Sequence, residues 1–304
     1  MKKYTGEGIL LFVTLIWGAT FFIIKVALQN VSPLLFVTIR FSFATLLLLP
    51  FMLKIIKSMS KEVIAGGILL GLMYFLGFAT QTVGLKYTTA TKSGFITGSF
   101  IIFTPVFQLM FEKKKPSGKN LLGVLFVILG LIFLSSKGSS ILDIFDEIGS
   151  GFNIGDFFTL LCAIFYAMYL VYLDIISKKQ NYLPLVFLQI SVTAVCGLIF
   201  TFLLSVTNYE PVKFTFNNNV LFAFLYTAIL ATILTTTLQT KYQKIVTPTK
   251  AGIILSFEPI FAALFAYFVI NERISHFGFL GGILIFTGLL VTELFDKKKL
   301  NNGG

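Results

Sequence analysis

Charge is scarce in this sequence. Only 12% of its 304 residues are Asp, Glu, Lys or Arg, about half of what a soluble domain carries. Too little polar side chain remains to cover a water-soluble body, and a mean hydropathy of +0.91 makes the membrane its solvent. Histidine occurs once, as His276, and cysteine twice. Cys162 and Cys196 sit in apolar segments without CxxC spacing, so they read as small buried side chains. No acid pair stands at membrane depth, and HExxH and GxSxG are missing, which leaves an intramembrane enzyme without its parts. No GK[ST] follows a glycine-rich stretch, so ATP hydrolysis is excluded, and Gly66-Gly67 and Gly281-Gly282 read as close helix packing. The sequence is therefore read as no enzyme, with no cofactor and no metal site.

Acids are the rarer charge, 13 against 24 Lys and Arg, for a net charge of +11. The surplus sits in short clusters between apolar runs and forms no continuous basic face, so no nucleic acid is expected as partner. What fills the sequence instead is apolar runs. Ten windows are long enough to cross a hydrocarbon core about 30 Å thick, at 7–28, 33–53, 63–85, 90–111, 119–136, 155–177, 183–206, 219–240, 249–270 and 277–295. Without water in that core every backbone group must be satisfied within the chain, and no strand-like alternation supports a barrel. The expected class is an all-α, multi-pass membrane protein of ten transmembrane helices. The apolar run after Lys2 and Lys3 has no small-residue cleavage site and reads as an uncleaved first span.

Lysine placement orients the spans. Lys2, Lys3, Lys54, Lys57, Lys61, Lys113 to Lys115, Lys119, Lys178, Lys179, Lys241, Lys244, Lys250 and Lys297 to Lys299 fall on one side. The other side holds Lys86, Lys92, Lys137, Lys213 and Arg273. Both termini are thus expected in the cytoplasm, and the protein in the inner (cytoplasmic) membrane.

The two halves align on each other. At an offset of 158, Gln81-Thr82 falls on Gln239-Thr240, Lys86 on Lys244, Thr91-Lys92 on Thr249-Lys250, Gly94 on Gly252, Gly123 on Gly281 and Gly130 on Gly288. Gly6-Glu7 matches Gly155-Asp156 at 149, and Pro33-Leu34 matches Pro184-Leu185 at 151. The expected organisation is a first five-helix repeat over 1–136, an extracytoplasmic linker over 137–154, a second repeat over 155–296 and a cytoplasmic tail over 297–304. An odd number of spans per half inverts the second half relative to the first, the architecture of secondary transporters.

Trp17-Gly18-Ala19-Thr20-Phe21, Arg40-Phe41, Glu258-Pro259 and Asn271-Glu272-Arg273, in that order, resemble the drug/metabolite transporter superfamily, and specifically its ten-helix EamA-type branch. The resemblance covers Gly6 to about Glu293. It implies a central cavity lined by spans 1, 3, 4, 6, 8 and 9, and export of amino acids or other metabolites. The sequence departs from the family where Lys113-Lys114-Lys115 replaces a Glu that many members carry after span 4.

Candidate site residues follow, each with a plainer alternative. Trp17, Phe21, Tyr166 and Tyr169 would give the cavity aromatic walls, though most of the 36 Phe and 11 Tyr must pack or face lipid. Tyr74, Phe78 and Gln81 form one helical stripe, with Thr232, Thr236 and Gln239 as symmetry mates. An amide reads a polar solute without the desolvation cost of a charge, or it glues helices together. Lys92 and Lys250, equivalent but at opposite faces, are candidate gates or recruiters of an anionic group, or ordinary interfacial lysines. Glu258, the only acid deep within a window, is a candidate for proton coupling or for meeting a substrate amine, or a structural acceptor beside Pro259. Lys25 is expected to snorkel, and Arg40 to be structural on a peripheral span. The expected function is alternating-access transport of a small polar metabolite by a monomer or homodimer in the lipid bilayer, driven by the solute gradient or a coupled proton. A channel or receptor is the alternative.

Overall fold

The computed structural model describes residues 4–135, 153–207, 211–270 and 276–301. Lys2, Lys3, Lys137, most of the expected 137–154 linker and the Asn271-Glu272-Arg273 motif lie outside those residues. We number the helical rods α1 Thr5–Ala27, α2 Pro33–Ile56, α3 Lys61–Tyr87, α4 Ala90–Glu112, α5 Gly118–Ser135, α6 Ile154–Ser177, α7 Tyr182–Val206 and α8 Asn218–Ile245. Next come α9, made of Pro248–Leu255 and Glu258–Ile270, and α10 His276–Asn301. All rods but α5 and α10 are long and apolar enough to cross a membrane, eight in number. Within α5 and α10 the apolar stretches are shorter, Gly118–Phe133 and Phe279–Gly288. No strand is present among the described residues; a single antiparallel bridge joins Val31 to Phe214.

The rods begin where the sequence can satisfy free backbone N–H groups. Thr89 accepts from the Lys92 N–H at the start of α4, and Thr247 accepts from Lys250 at the start of α9. These two caps lie 158 residues apart. Asn153 and Asp156 form a capping box on α6. Three rods are interrupted: α1 at Ala19, α4 at Ser99, and α9 at Ser256-Phe257. Hydroxyls bridge the turns there. Thr20 donates to the Trp17 carbonyl at 2.7 Å, Ser99 to Ile96 at 2.6 Å and Ser256 to Gly252 at 2.8 Å.

Packing is inside-out relative to a soluble protein. Leu46, Phe51, Phe202 and Phe268 are exposed, whereas Thr14, Arg40, Thr193 and Thr236 are buried. An apolar exterior costs nothing in lipid, so small residues and polar contacts hold the helices together. A Cβ added at Gly130 would stand 2.7 Å from the Gly281 carbonyl oxygen, and one at Gly288 would stand 2.7 Å from that of Gly123. α5 and α10 thus cross twice at glycines, each near the counterpart of the other. A Cβ at Gly18 would meet the Phe261 Cβ at 2.6 Å, so α1 rests directly on the second segment of α9.

Candidate functional site

α1, α3, α4, α6, α8 and α9 converge on a cavity. Its walls are the rings of Trp17, Tyr74, Phe100, Tyr166 and Tyr169, with Leu170 and Leu255 between them and Gln239 and Glu258 as polar members. The free volume is about 30 Å³, on the scale of one or two waters. A metabolite needs several hundred Å³. In this conformation the cavity does not admit one.

Most polar handles of the wall residues are occupied. The Trp17 indole N–H donates to the Ala231 carbonyl at 3.2 Å and to Thr235 Oγ1 at 3.0 Å. The Tyr74 hydroxyl meets Thr236 Oγ1 at 2.7 Å, and Tyr169 donates to Gln189 Oε1 at 2.8 Å. Glu258 is 7% exposed. It makes no hydrogen bond or ion pair among the described residues, and neither does the Tyr166 hydroxyl. Gln239 donates through Nε2 to Gln243 Oε1 at 3.0 Å, and its own Oε1 is buried without a partner.

Arg40 lies one ring behind this cavity. Its Nε donates to Thr232 Oγ1 at 2.8 Å and its Nη2 to the Ala231 carbonyl at 2.9 Å. Its guanidinium carbon stands 4.6 Å from the Phe78 ring centre. It meets no carboxylate among the described residues; ring faces and neutral oxygens hold the charge. The Ala231 carbonyl serves both Arg40 and Trp17, and it lies in a π-helical stretch of α8, Tyr226–Leu234. A wider helical turn loosens the usual backbone bonds and presents carbonyls to side chains.

The other expected site residues are placed as follows. Phe78 packs against Tyr74 and Tyr166, with ring centres 4.6 and 5.4 Å away, behind the cavity wall. Thr236 is there as the partner of Tyr74. Gln81 is buried and donates to Thr97 on α4 at 3.4 Å. Phe21 sits in a separate apolar cluster with Val220, Phe224 and Ala262. Phe100, Leu170 and Leu255 line the cavity without having been singled out in the sequence.

Lys92 and Lys250 are both ion-paired. Lys92 Nζ stands 2.6 Å from Asp156 Oδ2, and Lys250 Nζ 2.9 Å from Glu7 Oε1. Glu7 is in the first turn of α1 and Lys25 in its last, about 27 Å apart along a rod rising about 1.5 Å per residue. Lys25 is half-buried at its end of the bundle. It donates to the carbonyls of Leu85 and Thr88, each at 2.7 Å, at the end of α3, where a cation suits the negative helix terminus. The Thr88 hydroxyl in turn donates to Asp156 Oδ1 at 2.7 Å. The two ion pairs thus stand at opposite ends of the bundle. Asp156, and also Asp174 near the other end of α6, are fully buried, so Glu258 is not alone among acids within the rods. Among the described residues no cluster of three His, Cys, Asp or Glu forms a metal site.

Comparison with known proteins agrees with this architecture. A profile of the EamA-like transporter family matches residues 5–136 and 153–294. A protein of Archaeoglobus fulgidus named an uncharacterized transporter is 34% identical over 293 residues, 96% of this chain and 87% of that one. The uncharacterized transporter YoaV of Bacillus subtilis is 24% identical over 95% of this chain and 97% of its own. A solved crystal structure superposes with a TM-score of 0.74 at 15% identity, covering 96% of this chain and 98% of the other. At that identity the likeness concerns the fold.

Proposed function

The chain belongs to the EamA-like transporter family, and from that premise we propose that it is a secondary transporter working by alternating access. It is a multi-pass membrane protein with a small-molecule substrate. In our reading α5 and α10 also cross, making ten spans in two inverted halves, with both termini in the cytoplasm and the protein in the inner membrane. The cargo is a small polar metabolite of amino-acid type, moved outward. Glu258 couples a proton to that movement, since a membrane-buried carboxylate without a protein partner is costly and marks an ion pathway. The aromatic-walled cavity opens to one end and then to the other as the halves rock.

One observation carries this reading: two ion pairs, at opposite ends of the bundle, each joining one half to the other. Lys92 of the first half holds Asp156 of the second, and Lys250 of the second holds Glu7 of the first. Lysine answers to lysine at an offset of 158 and acid to acid at 149. Each pair latches one end, and opening one while the other stays closed is what alternating access requires.

The test is a cross-link at each end, in protein reconstituted into vesicles with Cys162 and Cys196 replaced by Ala. Cysteines at 92 and 156, or at 250 and 7, joined by a short bismaleimide, should each arrest flux of labelled amino acids. Flux that continued through the cross-linked protein would remove the latches from the mechanism. Glu258→Gln should abolish the response of flux to a pH gradient.

A further inference from the structure

We propose that the cavity beside Glu258 receives the protonated primary amine of an organic cation, held by the Glu258 carboxylate and Gln239 Oε1 and walled by aromatic rings. This assignment rests on the transporter reading and narrows its substrate class.

The cavity leaves two polar groups unsatisfied. A chain of amides settles the orientation of Gln239. Gln243 Nε2 donates to the Leu170 carbonyl at 2.7 Å, so Gln243 must present its oxygen to Gln239. The Gln239 atom meeting that oxygen is then the amide nitrogen, and the buried atom without a partner is the acceptor Oε1. A flipped amide would set oxygen against oxygen. The Glu258 carboxylate is a second acceptor, and its negative charge is unmet by Lys, Arg or His among the described residues. Of the remaining polar groups, those of Trp17, Tyr74 and Tyr169 are engaged, which leaves the Tyr166 hydroxyl as the one adaptable group.

With Glu258 ionised, the site has two free acceptors and a negative charge, and asks for a cation rich in N–H donors. An anion would face the Glu258 carboxylate with no compensating charge on the cavity wall. A quaternary ammonium would satisfy the charge and the rings but leave Gln239 Oε1 unpaired, at the desolvation cost of a buried acceptor. A primary ammonium answers all of it: three donors, one positive charge, and a small head compatible with the present 30 Å³. The body attached to it enters only as the ring walls part, and an apolar or aromatic body matches those walls.

The experiment is binding to the purified protein in lipid nanodiscs, read by calorimetry and melting temperature, with four probes built on one phenyl group. These are 2-phenylethylamine, its N,N,N-trimethyl analogue, 3-phenylpropanoate and phenylalanine. Phenylethylamine should bind, the trimethyl analogue about tenfold more weakly or worse, and the carboxylate not at all. Glu258→Gln and Gln239→Met should each weaken phenylethylamine by about tenfold or more. A second measurement, the melting temperature of each variant without ligand, should stay near that of the parent and separates lost binding from lost fold. Phenylalanine binding as well as or better than the amine supports the site with an amino acid as source. Weaker binding supports it with a simple amine. Equal binding of the primary and quaternary compounds, or binding of phenylpropanoate that survives Glu258→Gln, would overturn the assignment. Flux of a solute without an amine would overturn it too, while leaving the transporter reading intact. Amine binding without flux in vesicles would keep the site and defeat the transporter reading instead.

Discussion

The two ion pairs at the ends of the bundle are built from equivalent residues and are not equivalent in their surroundings. Asp156 is fully buried and receives Lys92 at 2.6 Å, the Thr88 hydroxyl at 2.7 Å and the Asn153 N–H at 2.9 Å. It is at once an ion-pair partner, a helix cap and the anchor of the α3 end. Glu7 meets Lys250 at 2.9 Å with its side chain 21% exposed. A carboxylate tied into a network loses several bonds together when it moves, whereas Glu7 has its ion pair with Lys250 to lose. The difference teaches that the Glu7 pair is the easier one to break, although the sequence positions of the two pairs are matched.

The comparison can be broken most forcibly at Asp156. Asp156→Ala removes one arm of the capping box and leaves Thr88 and Lys92 unanswered, and should lower stability by about 2–4 kcal/mol, somewhat reduced because Lys92 is partly solvated. Melting of the purified protein, with labelling of a cysteine at 88, would register both the loss and the opening of that end. An unchanged melting temperature would make the network ornamental. The glycine crossings of α5 and α10 extend the comparison. Gly130→Ala and Gly288→Ala should each cost about 1–3 kcal/mol in the same melting assay, Gly130→Ala the more, because its Cβ meets Ile285 at 2.7 Å besides a carbonyl oxygen, whereas that of Gly288 meets Val127 at 3.0 Å. Equal losses there would show that Ile285 gives way at no cost. Glu7→Gln should cost less than Asp156→Ala, about 1–2 kcal/mol, and in a double-mutant cycle the 7/250 coupling should be smaller than the 92/156 coupling. The reverse order would invert the comparison. Smallest is Lys25→Met, which removes a charge from the end of α3 and should cost about 0.3–1 kcal/mol in the same melting assay.

Much of this frame was legible in the sequence, because long apolar windows admit few structures in a solvent without hydrogen-bond partners. The lysines of the latches were legible too, since Thr-Lys-x-Gly recurs at a constant offset. Their acid partners were visible as matched residues, yet the pairing was not. An offset says which residues correspond, not which touch, and here each lysine touches the acid of the other half. Trp17, Tyr166 and Tyr169, marked as aromatic walls, and Tyr74 and Gln239, marked by a helical stripe and its symmetry mate, do gather at one cavity. Phe21, four residues after Trp17, would share its face on an unbroken helix. The interruption at Ala19 separates them, and Ala19-Thr20 carries no signature of a break. Phe100, Leu170 and Leu255 could not be singled out, since an apolar residue in an apolar window is indistinguishable from its neighbours. The π-helical turn that brings the Ala231 carbonyl to both Arg40 and Trp17 likewise has no marker in residue type.

The cavity's 30 Å³ has a consequence for the cell as an electrical object. So small a void has room for about one or two waters and no continuous file of them. In this conformation the cavity, with an ion pair formed at each end of the bundle, offers protons and small ions no wire.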